Sequence, residues 1–210
     1  MHEVQAPLGY RILYNRAGEP WFLESESGSE RITLSNRPFD EVDKETGYLI
    51  PKIIDRLLDR NPNKELWILD IAGGLNSQAA MDLGLKYPES VRVTNCDVLV
   101  NDKILAANVG SMYSNATDLR IPANSIDLVY SCYLFPNLVD LSYSKQIKIL
   151  DEIGRVLSPG GVAVVQEFNL DQQYNSVPLE RYKRENTNGN GRNLHFSESN
   201  SDLIVSSKPH

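Results

Sequence analysis

Residues that bind metals or cross-link a chain are scarce in this sequence. Its 210 residues include two cysteines, Cys96 and Cys132, and three histidines. Neither cysteine has a second cysteine or a histidine at the spacing that metal ligands require. Both lie in apolar stretches, so we predict two buried free thiols, which fits a reducing compartment. We predict no metal site.

Long apolar runs and concentrated positive charge are missing as well. No stretch approaches the ~18 continuous apolar residues of a membrane span, and the first residues lack the apolar core of a signal peptide. The formal net charge is -7 at pH 7, which on average repels a polyanion. We therefore expect a cytoplasmic protein that associates with neither membranes nor nucleic acids.

The composition and the periodicity are those of a globular α/β domain. Hydrophobic residues make up 41% and charged residues 23%, values typical of one packed domain. From residue 66 onward, short apolar runs typical of buried strands alternate with helical patterns. This alternation predicts a Rossmann-like, doubly wound, mostly parallel sheet of seven strands with helices on both faces. Residues 194–197 and 202–206 are too close for a crossover, so the last strand should run antiparallel.

The first 35 residues differ in character from the rest. Tyr10–Tyr14 and Trp21–Leu23 are β-prone runs on either side of Gly18, which predicts a hairpin. We therefore divide the chain into a hairpin segment, residues 1–40, and a main domain, residues 41–210. The aromatic residues of the segment favour a lid over the carboxyl ends of the strands. A hairpin packed far from the cleft, or an arm that pairs two subunits, are the alternatives.

The first turn between a strand and a helix of the predicted sheet is the place to look for a ligand. Gly73 and Gly74 lie in that turn and allow the backbone to pass close to a bound molecule. Asp97 ends the next strand, 27 residues after Asp70. An acid at that position can accept hydrogen bonds from both ribose hydroxyls of an adenosine.

Three segments of the chain match the motifs of one enzyme family in the same order. Ile68–Asn76 matches V-L-D-x-G-x-G-x-G, Asn115–Val129 matches D-A-x-x-L-P-F-x-D-x-S-F-D-L-V, and Glu152–Gly161 matches E-I-x-R-V-L-K-P-G-G. Over about residues 45–169 the chain thus resembles the class I S-adenosylmethionine-dependent methyltransferases, particularly the methyltransferase-11-like group. The resemblance implies S-adenosylmethionine as the cofactor and methyl transfer as the activity.

The resemblance also implies which residues bind the cofactor. The residues of the glycine turn hold its methionine end, and an acid with its neighbour holds the ribose and the adenine. Two residues bind the adenine edge, and two at the end of strand 126–130 lie near the sulfonium. In chain order these residues are Asp70, Ala72, Gly73, Gly74, Asn76, Asp97, Val98, Asn115, Ala116, Ser131 and Cys132.

Three positions depart from the family pattern. Ala72 and Asn76 replace the first and third glycines of the first motif, and Asn115 stands where an aspartate is usual. Asparagine tolerates a left-handed backbone, so we expect Asn76 to keep the turn. Ala72 adds a methyl group close to the expected path of the cofactor. The amide oxygen of Asn115 can still accept a hydrogen bond from the adenine amine.

Methyl transfer depends on alignment more than on a fixed set of catalytic groups. Tyr133 and Glu167 each follow a predicted strand and point toward the expected cleft, so they are the candidate catalytic residues. The Asn-Pro-Pro-Tyr-type tetrapeptide of adenine and glutamine N-methyltransferases is absent after strand 126–130. We therefore expect a small-molecule acceptor.

Two other functions stay open at this point. A non-catalytic relative would keep the fold and bind a metabolite or a protein partner, which the altered glycines favour. A nicotinamide-dependent dehydrogenase has a similar strand, glycine turn and acid, but Gly73–Asn76 fits G-x-G-x-x-G poorly. The sequence is compatible with a monomer and with a homodimer.

Overall fold

The computed structural model describes residues 6, 8–28, 31–34, 36–99, 107–132, 134, 143–166, 194–199 and 202–207. Within these residues the chain forms two sheets and several helices. In chain order the elements are β1 (Tyr10–Tyr14), β2 (Pro20–Ser25), β3 (Arg31–Thr33), α1 (Phe39–Glu45), α2 (Leu49–Arg60), β4 (Leu66–Ile71), α3 (Gln78–Lys86), β5 (Val91–Asp97), β6 (Val109–Tyr113), β7 (Ile126–Cys132), α4 (Tyr143–Val156), β8 (Leu157–Gln166), β9 (Leu194–Ser199) and β10 (Asp202–Ser207).

Seven strands form the main sheet in the order β6-β5-β4-β7-β8-β10-β9. The first five in this order run parallel to one another. The last strand in the chain, β10, runs antiparallel to both of its neighbours, so β9 at the edge has the direction of the first five. The predicted fold class, a doubly wound and mostly parallel sheet with an added N-terminal hairpin, is confirmed.

Helices cover both faces of the main sheet because its central strands are buried on both sides. All seven residues of β7 are buried. On one face α4 contributes Ile149 and Ile153 to the core, and on the other α2 contributes Ile50 and Ile54. The two faces therefore form separate apolar clusters divided by the sheet.

The direction of strand addition reverses beside β4. The chain runs from β4 outward through β5 to β6, and then returns to β7 on the other side of β4. In a doubly wound sheet, such a reversal is where a crevice for ligands lies, at the carboxyl ends of the neighbouring strands, here β4 and β7. The sequence places its glycine turn at this reversal.

A buried carboxylate ties the opposite end of the sheet together. Asp127, in β7, accepts hydrogen bonds from the Trp67 backbone N–H at 3.0 Å and the Ser158 hydroxyl at 2.8 Å. It also forms an ion pair with Lys64. Three elements are joined by one side chain, far from the crevice, which agrees with the structural role expected of a residue inside a strand.

The strand after α4 begins earlier than the sequence pattern indicates. The turn at residues 158–161 was expected to precede the strand, whereas β8 already begins at Leu157. Ile126 pairs with Leu157 and Leu128 pairs with Val162, so the residues between them bulge out of the ladder. Gly160 makes this possible with a φ of +82°.

The N-terminal residues form a sheet of their own, with the order β1-β2-β3. Its hairpin turns at Gly18, which has a φ of +80°, as the sequence predicts. The short helix α1 follows this sheet and was not predicted. The first backbone N–H of α1, that of Phe39, donates to the Asp82 carboxylate at 3.0 Å. These residues are distant in the sequence, so no local pattern indicates the contact. The boundary proposed between residues 40 and 41 falls inside α1.

Some predicted elements lie outside the described residues. These are the helix at 179–185, the polar loop at 186–193 and all but the end of the helix at 102–108, of which Ala107 and Asn108 form a turn. Both cysteines are free and buried, as predicted. Each helix in the described part of the chain is too short or too polar to span a membrane.

Candidate functional site

The turn between β4 and α3 has an unusual backbone. Left-handed conformations occur at Ala72 (φ +62°), Gly74 (φ +85°) and Ser77 (φ +53°). Asn76, which was expected to adopt this conformation, does not, and that prediction is wrong. The left-handed residues are Ala72 and Ser77 at the two ends of the turn, and Gly74 between them. The backbone strain therefore falls on Ala72 and Ser77, although asparagine tolerates this conformation better.

Gly73 is required for packing. A Cβ atom at this position would lie 2.2 Å from Asp70 Oδ2 and 2.5 Å from Asn95 Oδ1. Both distances are far below van der Waals contact, so any side chain would displace the two polar groups beneath the turn. The carboxylate and the amide beneath the turn therefore explain why a glycine stands at position 73, which is a variable position of the family motif.

Asn95 holds the turn from below. It is fully buried in β5, and its Nδ2 donates to the Gly74 carbonyl oxygen at 3.0 Å and to the Ser77 hydroxyl at 2.6 Å. This residue was not predicted from the sequence. The signal was an asparagine in the apolar run of β5, since a buried polar side chain needs hydrogen-bond partners.

Asp97 fastens the turn to the end of β5. One carboxylate oxygen accepts from the Gly74 N–H at 3.0 Å, and the other accepts from the Leu99 N–H at 3.3 Å. Burial raises the pKa of Asp97, and the backbone N–H groups of Gly74, Leu99 and Val98 offset part of the rise. A carboxylate has about four acceptor positions, so these two bonds leave capacity for further donors such as hydroxyl groups.

Asp70 is a buried carboxyl group in the described part of the site. It is 3% exposed, and its Oδ2 atom has no hydrogen-bond partner among the described residues. Burial raises the pKa of Asp70 to about 7; the nearby Tyr130 hydroxyl lowers it, Asp97 raises it and Arg37 lowers it. A cation placed against such a buried carboxyl group stabilises its ionised form.

A small pocket lies above Asp70. Its lining comprises Arg37, Val42, Asp70, Ala72, Gly73, Ala79 and Cys132. Arg37 Nη2 donates to the Cys132 carbonyl oxygen at 2.9 Å, across the mouth of the crevice. The structure thus brings together four residues predicted for the site, and it adds Arg37, which precedes every motif and was missed.

The other predicted residues have their own surroundings. Ser131 is fully buried, and its hydroxyl donates to the Ile71 carbonyl oxygen at 2.9 Å, which joins β7 to β4. Asn115 is exposed, and its Oδ1 accepts from the Thr117 N–H at 2.9 Å. Asn76 is exposed, and its backbone N–H donates to Asn36 Oδ1 at 2.8 Å.

Two predicted residues pack against apolar clusters. Val98 is half-buried against an apolar cluster that joins the N-terminal segment to the loops after β4 and β5, formed by Leu23, Leu34, Leu75 and Leu99. Ala116 packs against the core on the α4 face. Tyr133 and Glu167, the two predicted catalytic residues, lie outside the described residues.

One family matches the sequence. The profile described as a methyltransferase domain, of the methyltransferase-11 group, matches residues 69–165, from the end of β4 nearly to the end of β8. No curated protein matches the chain. The matched span contains the glycine turn, Asp97 and Asn115, and it excludes the N-terminal sheet and Arg37.

Many solved structures match this fold, and two of them serve as examples. One is a protein from Methanococcus maripaludis proposed to be an S-adenosyl-L-methionine-dependent methyltransferase, with a TM-score of 0.51 at 13% identity over 85% of this chain and 98% of that chain. The other is the CurJ carbon methyltransferase, with a TM-score of 0.53 at 13% identity over 79% of this chain and 54% of that chain. At such low identity these structures show the common architecture alone.

Replacing Asp70 by Asn should change how stability depends on pH. The folded protein holds a proton on Asp70 up to about pH 7, whereas the carboxyl of the unfolded chain releases it near 3.8. The protonated Asp70 therefore contributes its full stabilisation below the unfolded-state pKa of 3.8. This contribution is lost as the pH rises toward and through the folded-state pKa of about 7. The free energy of unfolding of D70N minus that of the wild type should increase by up to about 4 kcal/mol from pH 4 to pH 8.

Urea denaturation at several pH values measures this difference. Asp59→Asn, on an exposed position of α2, is the matched control. A D70N difference that stays constant across the range would show that Asp70 is ionised in the folded protein throughout.

Replacing Ala72 by Gly should stabilise the protein. A left-handed backbone costs a residue with a Cβ about 1–2 kcal/mol, and the greater freedom of glycine in the unfolded chain offsets part of the gain. We expect the free energy of unfolding to rise by about 0.5–1 kcal/mol. Ala123→Gly, at an exposed turn position without a positive φ, should lower it instead. Equal destabilisation by both changes would contradict the strain at Ala72.

Proposed function

Because this chain is a class I S-adenosylmethionine-dependent methyltransferase of the methyltransferase-11 group, we propose that it transfers the methyl group of its cofactor to a small-molecule acceptor. The observation that carries the proposal is the buried Asp70 carboxylate, whose Oδ2 atom lacks a partner among the described residues at the base of the crevice. The family match leaves no ground for the dehydrogenase interpretation.

The residues of the site fit S-adenosylmethionine. A buried carboxylate with an unsatisfied oxygen accepts an ammonium group, which the methionine end of the cofactor carries. Asp97 retains acceptor capacity for the two ribose hydroxyls. The pocket over Asp70 is lined by the backbone of Ala72 and Gly73, where Gly73 keeps the path clear of side chains.

We assign the adenine to the loops that follow β5 and β6. Val98, at the end of β5, offers an apolar side chain that is half-buried. Asn115 follows β6 by two positions, and its amide oxygen already accepts from Thr117. That oxygen accepts from both the Thr117 N–H and the Thr117 hydroxyl, so we propose that the adenine amine takes the place of the hydroxyl and that Ala116 donates through its backbone.

S-adenosylmethionine supplies an electrophilic methyl group on a sulfonium when it is bound. The chain contributes alignment and exclusion of water. Ser131 and Cys132 end β7 at the crevice, where Cys132 lines the pocket. For an acceptor that loses a proton we propose Glu167 as the base, because it directly follows Gln166, the register partner of Cys132. Tyr133, which follows Cys132, is the second candidate.

The N-terminal sheet supports a small acceptor. Leu23 and Leu34 pack against Leu75 of the glycine turn and Leu99 of the next loop. This packing puts Leu23 and Leu34 against the loops that follow β4 and β5, which supports a role of segment 1–40 as a cover of the crevice. A covered crevice suits a compact molecule better than a long polymer, and we propose that the segment forms the wall of the acceptor pocket.

Replacing Asp97 by Ala should weaken binding of S-adenosylhomocysteine by about 1–3 kcal/mol, the usual effect of removing a charged hydrogen-bond partner. Isothermal titration calorimetry measures the affinity, and Asp59→Ala is the matched surface control. Titration of the wild type with NAD should give no heat. If D97A binds S-adenosylhomocysteine as the wild type does, Asp97 is not part of the cofactor site.

Transfer of a tritiated methyl group identifies the class of acceptor. The protein is incubated with labelled S-adenosylmethionine and with a cell extract separated into small molecules, RNA and protein. We expect label in the small-molecule fraction, and the cofactor-binding variant D97A should lose most of it. Label confined to RNA or to protein would overturn the small-molecule proposal.

A further inference from the structure

Two side chains of α4 bind the backbone of the loop after β6, residues 114–121, which we call the β6 loop. Arg155 donates to the carbonyl oxygens of Leu119 and Ile121, from Nη2 at 2.7 Å and from Nη1 at 2.9 Å. The carboxylate of Glu152 accepts from the Leu119 N–H at 2.9 Å. Both backbone polar groups of Leu119 are therefore paired with side chains of one helix, 33 and 36 positions later in the chain.

Glu152 and Arg155 also bind each other, and we call this pair the α4 clamp. Arg155 donates to both carboxylate oxygens of Glu152, from Nε at 2.7 Å and from Nη2 at 2.8 Å. This contact lowers the pKa of Glu152 and raises the pKa of Arg155, so both groups are charged at neutral pH. A guanidinium holds its donors in a rigid planar fork, so the pair fixes the direction of its bonds to the β6 loop.

The inner side of the β6 loop is already held by apolar packing. Leu119 is 2% exposed and Ile121 is 5% exposed, and both belong to the core on the α4 face together with Ile153. Apolar contacts are not directional, so they keep the loop against the core without setting its orientation. Hydrogen bonds are directional, and those of the α4 clamp fix the loop backbone at two residues. The clamp therefore contributes orientation, which packing alone does not.

The outer side of the β6 loop carries Asn115 and Ala116, the two residues that we assign to the adenine edge. Hydrogen bonds inside the loop join its two sides. The Asp118 N–H donates to the Asn115 carbonyl oxygen at 2.8 Å, and the Ser114 hydroxyl donates to the Asp118 carbonyl oxygen at 3.0 Å. Leu119, whose backbone the clamp binds, directly follows Asp118 in the chain. A displacement of Leu119 therefore also displaces Asn115.

We propose that Glu152 and Arg155 position the β6 loop so that Asn115 recognises the amine group of the adenine. The inference rests on the proposed function and deepens it, since it makes the choice of base depend on two residues of α4. Neither side chain is assigned to the cofactor, so both act through the loop backbone as positioning residues. Weakening the clamp should therefore reduce affinity for ligands that carry the adenine amine and spare ligands that lack it.

Two ligands isolate the contribution of the adenine amine. S-adenosylhomocysteine carries the amine, whereas S-inosylhomocysteine has a carbonyl oxygen in its place and an N–H at the neighbouring ring nitrogen. Calorimetry measures both dissociation constants, and we call their ratio the amine preference. Because Asn115 would accept from the amine and Ala116 would donate to the ring nitrogen, the wild type should bind S-adenosylhomocysteine about tenfold or more tightly.

Replacing Arg155 by Lys should remove the amine preference. Lysine keeps the positive charge and lacks the planar fork, so it cannot bind both loop carbonyls and the carboxylate in the same geometry. We expect R155K to lose about tenfold in affinity for S-adenosylhomocysteine and to stay within about threefold of the wild type for S-inosylhomocysteine. Arg92→Lys, at an exposed arginine paired with Glu65, is the matched control and should change neither affinity. Asp97→Ala should weaken both ligands and keep the preference.

A double variant tests whether the clamp acts through Asn115. Asn115→Ala should itself remove most of the amine preference. Adding R155K to N115A should then cause little further loss of affinity for S-adenosylhomocysteine, because both changes remove the same interaction. A loss as large as that of R155K alone would show that the clamp and Asn115 act independently, which contradicts the inference.

Three results for the two ligands would overturn the inference. An amine preference that R155K leaves unchanged would show that the clamp only stabilises the fold. An equal loss of affinity for both ligands in R155K would show that the clamp shapes the whole site and not the adenine contact. Equal binding of both ligands by the wild type would exclude recognition of the amine, while the proposed function would stand.

Two further checks keep the outcomes distinct. A wild type that binds neither ligand contradicts the proposed function, and this inference fails with it. Thermal unfolding of each variant shows whether the fold is intact. Should R155K unfold, Glu152→Gln repeats the test, because glutamine keeps an oxygen for the Leu119 N–H and loses the charge that binds Arg155.

Discussion

A carboxylate buried at the end of β4 imposes the form of the rest of the site. Asp70 is 3% exposed, and its Oδ2 atom lies directly beneath Gly73. The backbone must pass over it without a side chain, so a glycine is needed there. Burying a charged group without a full set of partners costs free energy, and such groups persist where a ligand supplies what the protein lacks. Asp70 is such a group, and the cofactor-binding role that we propose for it would supply the missing partner.

The residues around Asp70 hold the glycine turn in place, but they leave the Asp70 Oδ2 atom without a hydrogen-bond partner among the described residues. Asn95 and Asp97 fasten the glycine turn from two points on β5. Arg37 approaches from the other side of the crevice and is bound to the end of β7. The turn is therefore held by Asn95, by Asp97 and, through the Asn76 N–H, by Asn36. The left-handed Ala72 at its start is tolerated because these contacts fix the backbone.

The sequence predicts the architecture well because strand order and burial follow from local patterns. Apolar runs such as Leu66–Ile71 define the buried strands, and the short gap before Asp202 already indicates an antiparallel last strand. The glycine turn and Asp70 were found for the same reason. The contributions of Asn36 and Arg37 could not be found, because their contacts join residues 40 and 95 positions apart and follow no motif. Asn76 shows a different limit: the backbone of a turn is set by its packing and not by the propensity of one residue.

The distance along the chain between Arg37 and Cys132 has a consequence for how the protein folds. Closing a loop of 95 residues has an entropic cost that grows with its length, and contacts of high sequence separation slow folding. The N-terminal sheet has only local strand pairings, so it can form early. The contact of Arg37 with Cys132 requires β7, which pairs with β4 only after the chain has passed through β5 and β6. On a ribosome, the crevice would therefore be among the later features to form, and a nascent chain that ends before β7 would expose the apolar face of β4.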